Sequence, residues 1–360
     1  MSWTSRALIN CAALQHNLSI VKKTAPNSKV LAVIKSNGYG HGITEIAKTL
    51  VAADGFAVAT IQEAIKVRAI HQNKVIIVLQ GFLNFNELCL VQKYNLHPVI
   101  HSNSQIDILE SSKDIVLDQS TSYWFKFDTG MGRLGFSVDE YTASLKRLEN
   151  IINNKSDIIL MSHFSNADDP TNETTNRQIK LFNDLVADYN YQKTLANSAG
   201  ILGWQDSHFD WVRAGIMLYG VSPFNDYNTK NNLQTVLTLE SRLIAINVHK
   251  KGDSIGYGGK WICPEDMPVG IVSIGYGDGY PRHAITGTPV LVKGKKTTII
   301  GCVSMDMICI DLRSIDNVES GTTVTLWGEQ LAIETIAEYS NTIAYELLCQ
   351  IGKRVKFVYQ

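Results

Sequence analysis

Strand-like and helix-like stretches alternate along this chain up to residue 220. Short apolar runs, each long enough for one buried strand, are separated by amphipathic stretches with helical spacing, such as 43–53 and 61–71. Strands that alternate with helices are typical of a parallel sheet, and eight of them match a closed (β/α)8 barrel. An open doubly wound sheet is the alternative, and the strand count favours the barrel. The predicted strands are 29–35, 55–60, 74–80, 96–101, 122–129, 157–164, 193–198 and 212–220.

The periodicity changes after Pro223. A polar, Asn-rich segment at 225–232 is typical of a connection between domains. Beyond it, short β-like runs are separated by Gly, Pro and Asp, and only 333–350 has helical spacing. The sequence therefore predicts two domains, a barrel over 1–230 and a mostly β domain over 231–360. The predicted strands of the second domain are 237–248, 269–274, 289–292, 297–303, 307–312 and 322–326.

The charge balance and the cysteine spacing exclude several classes of protein. The chain has 33 basic and 34 acidic side chains without a basic block, so neither nucleic acid nor an anionic membrane surface is an expected partner. No apolar run is long enough to span a membrane, and polar residues interrupt the first twenty positions, so we expect a cytoplasmic protein. The six cysteines are scattered and no histidines have metal-ligand spacing, which predicts free thiols and no metal site.

A lysine followed by a glycine-rich loop ends the first predicted strand. Residues 32–42 read AVIKSNGYGHG, so Lys35 comes directly after a buried apolar run. A cation there is costly unless it has a task or a partner, and the backbone N–H groups of a glycine-rich loop can approach an anion closely. An amine beside an anion site suits pyridoxal phosphate, because the aldehyde forms a Schiff base with a lysine and the phosphate binds the loop. The segment predicts a site for this cofactor.

Other polar residues occur late in the predicted strands or directly after them. In barrels of this type, the reacting groups lie at the carboxyl ends of the strands. We therefore expect these side chains to meet in one site. They are Lys35, Lys126, Asp128, His163, Asn197, Ser198 and Arg213.

Nine segments, in order and in spacing, resemble the alanine racemases. The resemblance extends from Lys29 to Tyr345, and its departures are Ser36, Gly38 and Gly277, where alanine is more usual. The nine segments are AVIKSNGYGHG (32–42), KFDTGMGRLGF (126–136), SHFSNAD (162–168), LANSAG (195–200), VRAGIMLYG (212–220), GDSIGYGG (252–259), IGYGDGYPR (274–282), CVSMDM (302–307) and YELLC (345–349).

The resemblance implies that pyridoxal phosphate is bound covalently to Lys35. It also implies that Arg213 faces the pyridine nitrogen of the cofactor. Because arginine retains its proton, the ring nitrogen stays unprotonated, and this favours racemisation over transamination. The residues that the resemblance assigns to the phosphate are Tyr39, Ser198, Gly215, Ile216 and Tyr345.

The resemblance implies one proton-transferring group on each face of the substrate. Lys35 serves one face, and Tyr257, which reaches in from the second subunit of a homodimer, serves the other. A free phenol has a pKa of about 10, so this tyrosine needs a cationic or hydrogen-bonding environment to act near neutral pH. His163 and Arg213 are the candidates for that environment.

The same resemblance implies a substrate site. Arg133 binds the substrate carboxylate, and Met305 of the partner chain contributes its backbone N–H. Tyr276 and Tyr345 narrow the entrance. Lys126 carries a carbamate, which turns a cation into an anion that hydrogen-bonds to Arg133.

The function implied is the interconversion of L-alanine and D-alanine in a bacterial cytoplasm, supplying D-alanine for peptidoglycan. One alternative is a racemase for serine or for a broader set of amino acids. A second is a decarboxylase of similar architecture, although an arginine at the pyridine nitrogen argues against it, because an acidic partner would protonate that nitrogen. A third is a non-catalytic carrier of pyridoxal phosphate, and the second domain with Tyr257 argues against a lone barrel of that kind.

Overall fold

The computed structural model describes residues 5–112, 121–152, 154–224 and 232–360. After a first strand, β1 (Arg6–Ile9), eight parallel strands pair in chain order and the last pairs with the first, so that the sheet closes. The predicted barrel is confirmed. Its strands are β2 (Lys29–Val33), β3 (Gly55–Val58), β4 (Val75–Val78), β5 (His97–Ile100), β6 (Tyr123–Lys126), β7 (Ile158–Met161), β8 (Gln192–Thr194) and β9 (Trp211–Ala214).

Most barrel strands are apolar because both of their faces are covered, whereas β8, with the sequence Gln-Lys-Thr, is polar and only partly buried. Every residue of β3, β5, β6, β7 and β9 is buried, as is usual for parallel strands with helices outside and packed side chains inside. The strands end earlier than the sequence predicts: β2 ends at Val33 and β6 at Lys126. Several polar residues predicted at strand ends therefore lie in the loops just beyond them.

Helices cover the outside of the barrel, and several begin at a polar cap. The side chains of Thr60, Asn84 and Ser137 each accept a hydrogen bond from a backbone N–H three residues later, which pairs a donor that the helix leaves free. The helices up to residue 203 are α1 (Cys11–Thr24), the short α2 (Lys35–Tyr39), α3 (Ile43–Thr49), α4 (Ile61–Arg68), α5 (Phe85–Lys93), α6 (Asn103–Ser111), α7 (Val138–Ile151), α8 (Thr174–Val186) and α9 (Ser198–Gly203).

The rest of the chain is mostly β, as predicted. An eight-stranded sheet has the order β13-β16-β15-β14-β17-β10-β1-β18, and β10 also pairs with β13. Strand β1 lies between β10 and β18, so both ends of the described chain belong to this sheet. The strands beyond the barrel are β10 (Leu237–His249), β11 (Ser254–Ile255), β12 (Trp261–Ile262), β13 (Met267–Val272), β14 (Pro289–Val292), β15 (Lys295–Ile300), β16 (Ile308–Asp311), β17 (Thr323–Trp327) and β18 (Lys356–Tyr359).

The helical stretch predicted at 333–350 is wrong as a single helix. It forms two short helices, α10 (Ile333–Tyr339) and α11 (Ala344–Cys349), because Asn341 adopts a left-handed backbone with a φ of 50° and ends the first of them. The break turns α11 towards the barrel, where Tyr345 and Cys349 face the site described below.

Two further predictions concern the connection and the membrane. Positions 225–231 of the predicted connection lie outside the described residues, so the division near residue 230 stays a prediction. In the ranges that the structure describes, no helix combines the length and the apolar character needed to cross a bilayer.

Candidate active site

A cavity of about 740 Å³ lies at the carboxyl ends of the barrel strands. Its wall combines loops of the barrel with α10 and α11 of the C-terminal part. The cavity therefore brings together most of the residues predicted from sequence for the site. Those that line it are Lys35, Tyr39, Lys126, Arg133, His163, Asn197, Ser198, Arg213, Gly215, Ile216 and Tyr345.

Lys35 is followed by one turn of left-handed backbone. Ser36, Asn37 and Tyr39 have φ values of 53°, 55° and 50°, and each such residue other than glycine costs about 1–2 kcal/mol. Helix α11 packs closely against this turn. A Cβ on Gly40 would lie 2.0 Å from the Leu348 carbonyl oxygen of α11, so only glycine fits there. The turn directs both the Lys35 amine and the Tyr39 phenol into the cavity.

The Lys35 amine lies in an environment that disfavours its charge. Burial, and then the Arg133 guanidinium, lower the pKa of Lys35. A larger fraction of the amine is then neutral near pH 7 than in a free lysine. A neutral amine is the form that attacks an aldehyde or accepts a proton.

Hydroxyl and backbone groups converge at one end of the cavity. The Ser198 hydroxyl oxygen accepts hydrogen bonds from the N–H groups of Gly215 (2.9 Å) and Met217 (3.4 Å). A Cβ on Gly215 would lie 2.7 Å from the Tyr39 hydroxyl and 3.7 Å from that of Ser198. Burial raises the pKa of Tyr39, so its phenol keeps its proton. The Tyr39 and Ser198 hydroxyls can each donate a hydrogen bond to an ionised phosphate, which offers only acceptors, and Gly215, having no side chain, leaves room for it; these three residues form a cradle that fits the phosphate.

Arg213 is buried at the centre of the site, with a relative exposure of 3%. One terminal nitrogen donates to the Thr194 hydroxyl at 2.6 Å, and the other contacts the carbonyl oxygens of Ser162 (2.7 Å) and Leu195 (3.0 Å). The second nitrogen also lies 3.1 Å from Nδ1 of His163. Because a guanidinium can only donate, Nδ1 of His163 is the acceptor and the ring proton is on Nε2.

The electrostatics of the site are strongly positive. Burial and then the charges of Arg213 and Lys126 hold the pKa of His163 well below its usual value, so this imidazole is neutral at pH 7. Burial lowers the pKa of Arg213 to about 9, which still leaves the guanidinium charged. Together with Lys35 and Arg133, these cations suit a ligand that carries several negative charges.

Lys126 and Arg133 are placed by one tight loop. Asp128 accepts three backbone hydrogen bonds, from Gly130, Met131 and Gly132, at 2.7 to 2.8 Å, which shapes the loop that carries Arg133. The Lys126 amine, 6% exposed, donates to a carbonyl of the same loop. Burial, followed by the neighbouring guanidinium groups, lowers the pKa of Lys126 to about 8.

Four predicted site residues do not line the cavity: Asp128, in the loop described above, and three residues of the C-terminal part. Tyr257, Tyr276 and Met305 are on the surface of the C-terminal part, with relative exposures of 70%, 40% and 53%. Tyr276 and Met305 belong to paired loops, since the Gly277 N–H donates to the Met305 carbonyl at 2.8 Å. The turn at Tyr257 is next to them, because a Cβ on Gly256 would lie 3.5 Å from the Cys302 nitrogen. The three side chains thus lie in one exposed region.

Sequence reasoning missed several residues that shape the site. Thr194 accepts a hydrogen bond from Arg213, and the ring of Tyr219 stacks on that of Tyr39 with 4.7 Å between the ring centroids. Asp168 and Cys349 also line the cavity. A buried arginine always needs acceptors, and that requirement was the one available signal for Thr194.

Two family models match the two parts of the chain. The family model for the N-terminal domain of alanine racemase matches residues 9–223, and the model for the C-terminal domain matches residues 236–359. The alanine racemase of Coxiella burnetii is 48% identical over 358 residues, which cover 98% of each chain.

Solved structures give the same result. The biosynthetic alanine racemase of Pseudomonas aeruginosa superposes with a TM-score of 0.95 and 37% identity over 100% of both chains. The alanine racemase of Bartonella henselae, solved with covalently bound pyridoxal phosphate, has a TM-score of 0.89 and 29% identity, also over 100% of both chains. The chain belongs to the alanine racemase family.

Proposed function

We propose that this enzyme interconverts L-alanine and D-alanine with pyridoxal phosphate and two proton-transferring groups, Lys35 and Tyr257 of the partner subunit. The observation that carries the proposal is the meeting, in one cavity, of the Lys35 amine with the phosphate-sized cradle at Tyr39, Ser198 and Gly215. An amine of lowered pKa and hydrogen-bond donors in the same cavity are what this cofactor requires.

The residues of the cradle would hold the cofactor at both ends. Tyr39, Ser198 and Gly215, with Ile216 and Tyr345 beside them, line the cavity where they would bind the phosphate, and Lys35 lies in the same cavity, where it would bind the aldehyde carbon. Pyridoxal phosphate, when bound, accepts electron density from the Cα–H bond of an amino acid joined to it. The Lys35 amine would take a proton from Cα, or return one, on its own face of the substrate.

Arg213 determines how strongly that electron density is withdrawn. Its terminal nitrogens are bonded to Thr194, Ser162, Leu195 and His163, so the group is fixed and charged. A guanidinium beside the pyridine nitrogen does not transfer a proton to it, whereas a carboxylic acid would. The weaker withdrawal keeps the reaction at Cα and favours racemisation over decarboxylation or transamination.

Tyr257 is proposed to serve the second face from the partner subunit. In the single chain its side chain is 70% exposed and outside the cavity, with Tyr276 and Met305 in the same exposed region. A homodimer that brings this region over the partner's cavity supplies the second proton-transferring group. His163, whose Nδ1 is occupied by Arg213, would offer its Nε2 side to the phenol.

The substrate proposed is a small amino acid held by its carboxylate. Arg133 is the cation that contacts the carboxylate, with the backbone N–H of Met305 from the partner as a second donor. Tyr276 and Tyr345 would narrow the entrance and restrict the side chain to a small group such as the methyl of alanine. Serine is the main alternative substrate, because its side chain is also small enough for this restricted entrance.

Incubation with L-alanine in deuterium oxide tests the proposal. We expect loss of the α-proton signal in the proton NMR spectrum, together with accumulation of D-alanine to an equal mixture by chiral chromatography. Exchange without inversion would indicate that only one face is served and would contradict the role of Tyr257. If the α-proton of alanine does not exchange in protein with bound cofactor, alanine is not the substrate, and serine as the substrate or a carrier function is favoured instead.

Lys126 is proposed to carry a carbamate that bonds to Arg133. The neutral Lys126 amine adds to carbon dioxide, forming an N–C bond and releasing one proton, and its lowered pKa of about 8 favours this form. We expect 13C-bicarbonate to give a carbamate resonance in the wild-type protein and none in Lys126→Ala, and we expect removal of carbon dioxide to slow racemisation several-fold. A spectrum without that resonance, with a rate indifferent to carbon dioxide, would refute the assignment.

The biological role proposed is the supply of D-alanine for peptidoglycan in the cytoplasm of a bacterium. The bacterial source of the relatives supports it. Expression of the chain in a bacterium that requires added D-alanine should permit growth without it. The Lys35→Ala variant, expressed to the same level, should not.

A further inference from the structure

The carboxylate of Glu63 joins the loops that follow two neighbouring barrel strands. One oxygen accepts a hydrogen bond from the Asn37 N–H at 3.1 Å, and the other accepts one from the Ala59 N–H at 3.0 Å. Asn37 follows β2 and Ala59 follows β3, and these two strands pair in parallel. The N–H of Glu63 also donates to the Thr60 hydroxyl at 3.3 Å, so the first turn of α4 and the carboxylate are fixed together.

The left-handed turn after Lys35 does not pair the Asn37 N–H internally. Its backbone hydrogen bonds include those from the Gly38 N–H to Ile34 and from the Gly40 N–H to Ser36, each at 2.9 Å. Asn37 accepts two bonds, from the Gly42 N–H at its carbonyl (2.8 Å) and from the Ile43 N–H at its side chain (3.1 Å), whereas its own N–H donates to Glu63. Asn37 lies two residues after Lys35 and two before Tyr39. Left-handed backbone is unfavourable for residues other than glycine. The hydrogen bond between the Asn37 N–H, at the centre of the turn, and Glu63 of helix α4 therefore helps to keep the Lys35 and Tyr39 side chains in place.

Glu63 also contributes charge to the surroundings of Lys35. The ionisable groups that act on this amine are Arg133 and Arg213, which disfavour its protonated form, and Glu63 and Cys349, which favour it. Glu63 is the carboxylate in that set. Removing its charge therefore leaves the amine facing an excess of cations.

We propose that Glu63 is a positioning residue for the cofactor site, which fixes the separation between the Lys35 amine and the Tyr39 phenol and partly balances the cations around Lys35. The inference rests on the proposed role of Lys35 as the lysine that binds pyridoxal phosphate. Glu63 itself touches neither substrate nor cofactor in this assignment. It acts through the backbone of Asn37.

Glu63→Gln is the informative variant, because it keeps the shape of the side chain and one acceptor oxygen while losing the charge. Two measurements on the apoprotein are needed: the Kd for pyridoxal phosphate by absorbance, and the pH profile of Lys35 acetylation by acetic anhydride, followed by peptide mass spectrometry. We expect the Kd to rise about tenfold and the acetylation midpoint of Lys35 to move to lower pH. Glu63→Ala, which loses both acceptors, should bind the cofactor more weakly still.

Glu45→Gln is the matched control. Glu45 lies on the neighbouring helix α3, and its side chain bonds to the exposed Lys48. This variant should leave both measurements at their wild-type values. Circular dichroism of each variant checks folding, and the decision rests on Glu63→Gln if Glu63→Ala does not fold.

The proposal requires both effects in Glu63→Gln. An unchanged Kd for pyridoxal phosphate overturns the proposal. A higher Kd with an unchanged acetylation midpoint of Lys35 also overturns it, because loss of packing alone would produce that combination. Borohydride reduction of the wild-type protein with its cofactor provides a separate check. If the reduced cofactor is not found on Lys35, the proposed function fails; if it is found there and Glu63→Gln equals the wild type, only the present inference fails.

Discussion

We expect Lys35→Ala to reduce racemisation about ten-thousandfold or more. The variant loses the amine that we propose holds the cofactor aldehyde and moves a proton on one face of the substrate, and each loss would be large by itself. The cradle at Tyr39, Ser198 and Gly215 remains, so the cofactor should still bind through its phosphate, but more weakly. The rate of D-alanine formation and the rate of α-proton exchange in deuterium oxide measure the effect.

Lys29→Ala is the control for that variant. Lys29 begins the same strand, β2, at the opposite end of the barrel, where its amine lies 5.1 Å from the ring centre of Trp211. Its removal should leave both rates within about twofold of the wild type, because a cation–π contact at an exposed site contributes little. If Lys35→Ala kept a tenth of the wild-type rate, or if borohydride trapped the cofactor on another lysine, the assignment of Lys35 would be wrong.

The sequence was sufficient to predict the barrel because parallel strands leave a strong local signal. Both faces of such a strand are buried, so each appears as an uninterrupted apolar run, and eight runs with helical spacing between them leave few alternatives. The ends of the strands were less accurate. The strand predicted at 193–198 ends at Thr194, because Asn197 caps helix α9, accepting a bond from the Gly200 N–H at 2.9 Å.

Strands β1 and β18 could not be predicted from local pattern. The four residues Arg6–Ile9 are too few to show a period, and their pairing with β10 and β18 joins positions more than 200 residues apart. Such a strand is determined by the edge that the rest of the sheet offers, and local sequence does not contain that information.

The site could be predicted to the extent that its residues are chemically unusual for their position. A lysine after a buried strand and an arginine inside one, Lys35 and Arg213, require an explanation, and the barrel topology brings them together. Glu63 and Thr194 carry no such signal, because a glutamate in the first turn of a helix and a threonine in a strand are ordinary. Glu63 accepts a hydrogen bond from the Asn37 N–H, and Thr194 accepts one from the Arg213 guanidinium. Only the folded chain brings these donors and acceptors together.

Mixing two inactive variants should restore activity if the site is shared between subunits. Tyr257→Phe removes the proposed proton-transferring group of one face, and we expect racemisation to fall at least about a hundredfold while α-proton exchange continues with one enantiomer. In a heterodimer of Tyr257→Phe with Lys35→Ala, one site has both substitutions and the other has neither. Random exchange makes about half of the dimers heterodimers, so about a quarter of the wild-type activity should return.

This complementation distinguishes a shared site from one completed within a single chain. If Tyr257 acted on the cavity of its own chain, each site in the mixture would carry one substitution and no activity would return, although mass spectrometry of differently tagged subunits showed exchange. The arrangement of the single chain favours recovery. Tyr257 is 70% exposed and absent from the cavity wall, whereas Lys35, His163 and Arg213 line it together. We therefore expect the Tyr257 phenol that reaches His163 to come from a second copy of the chain.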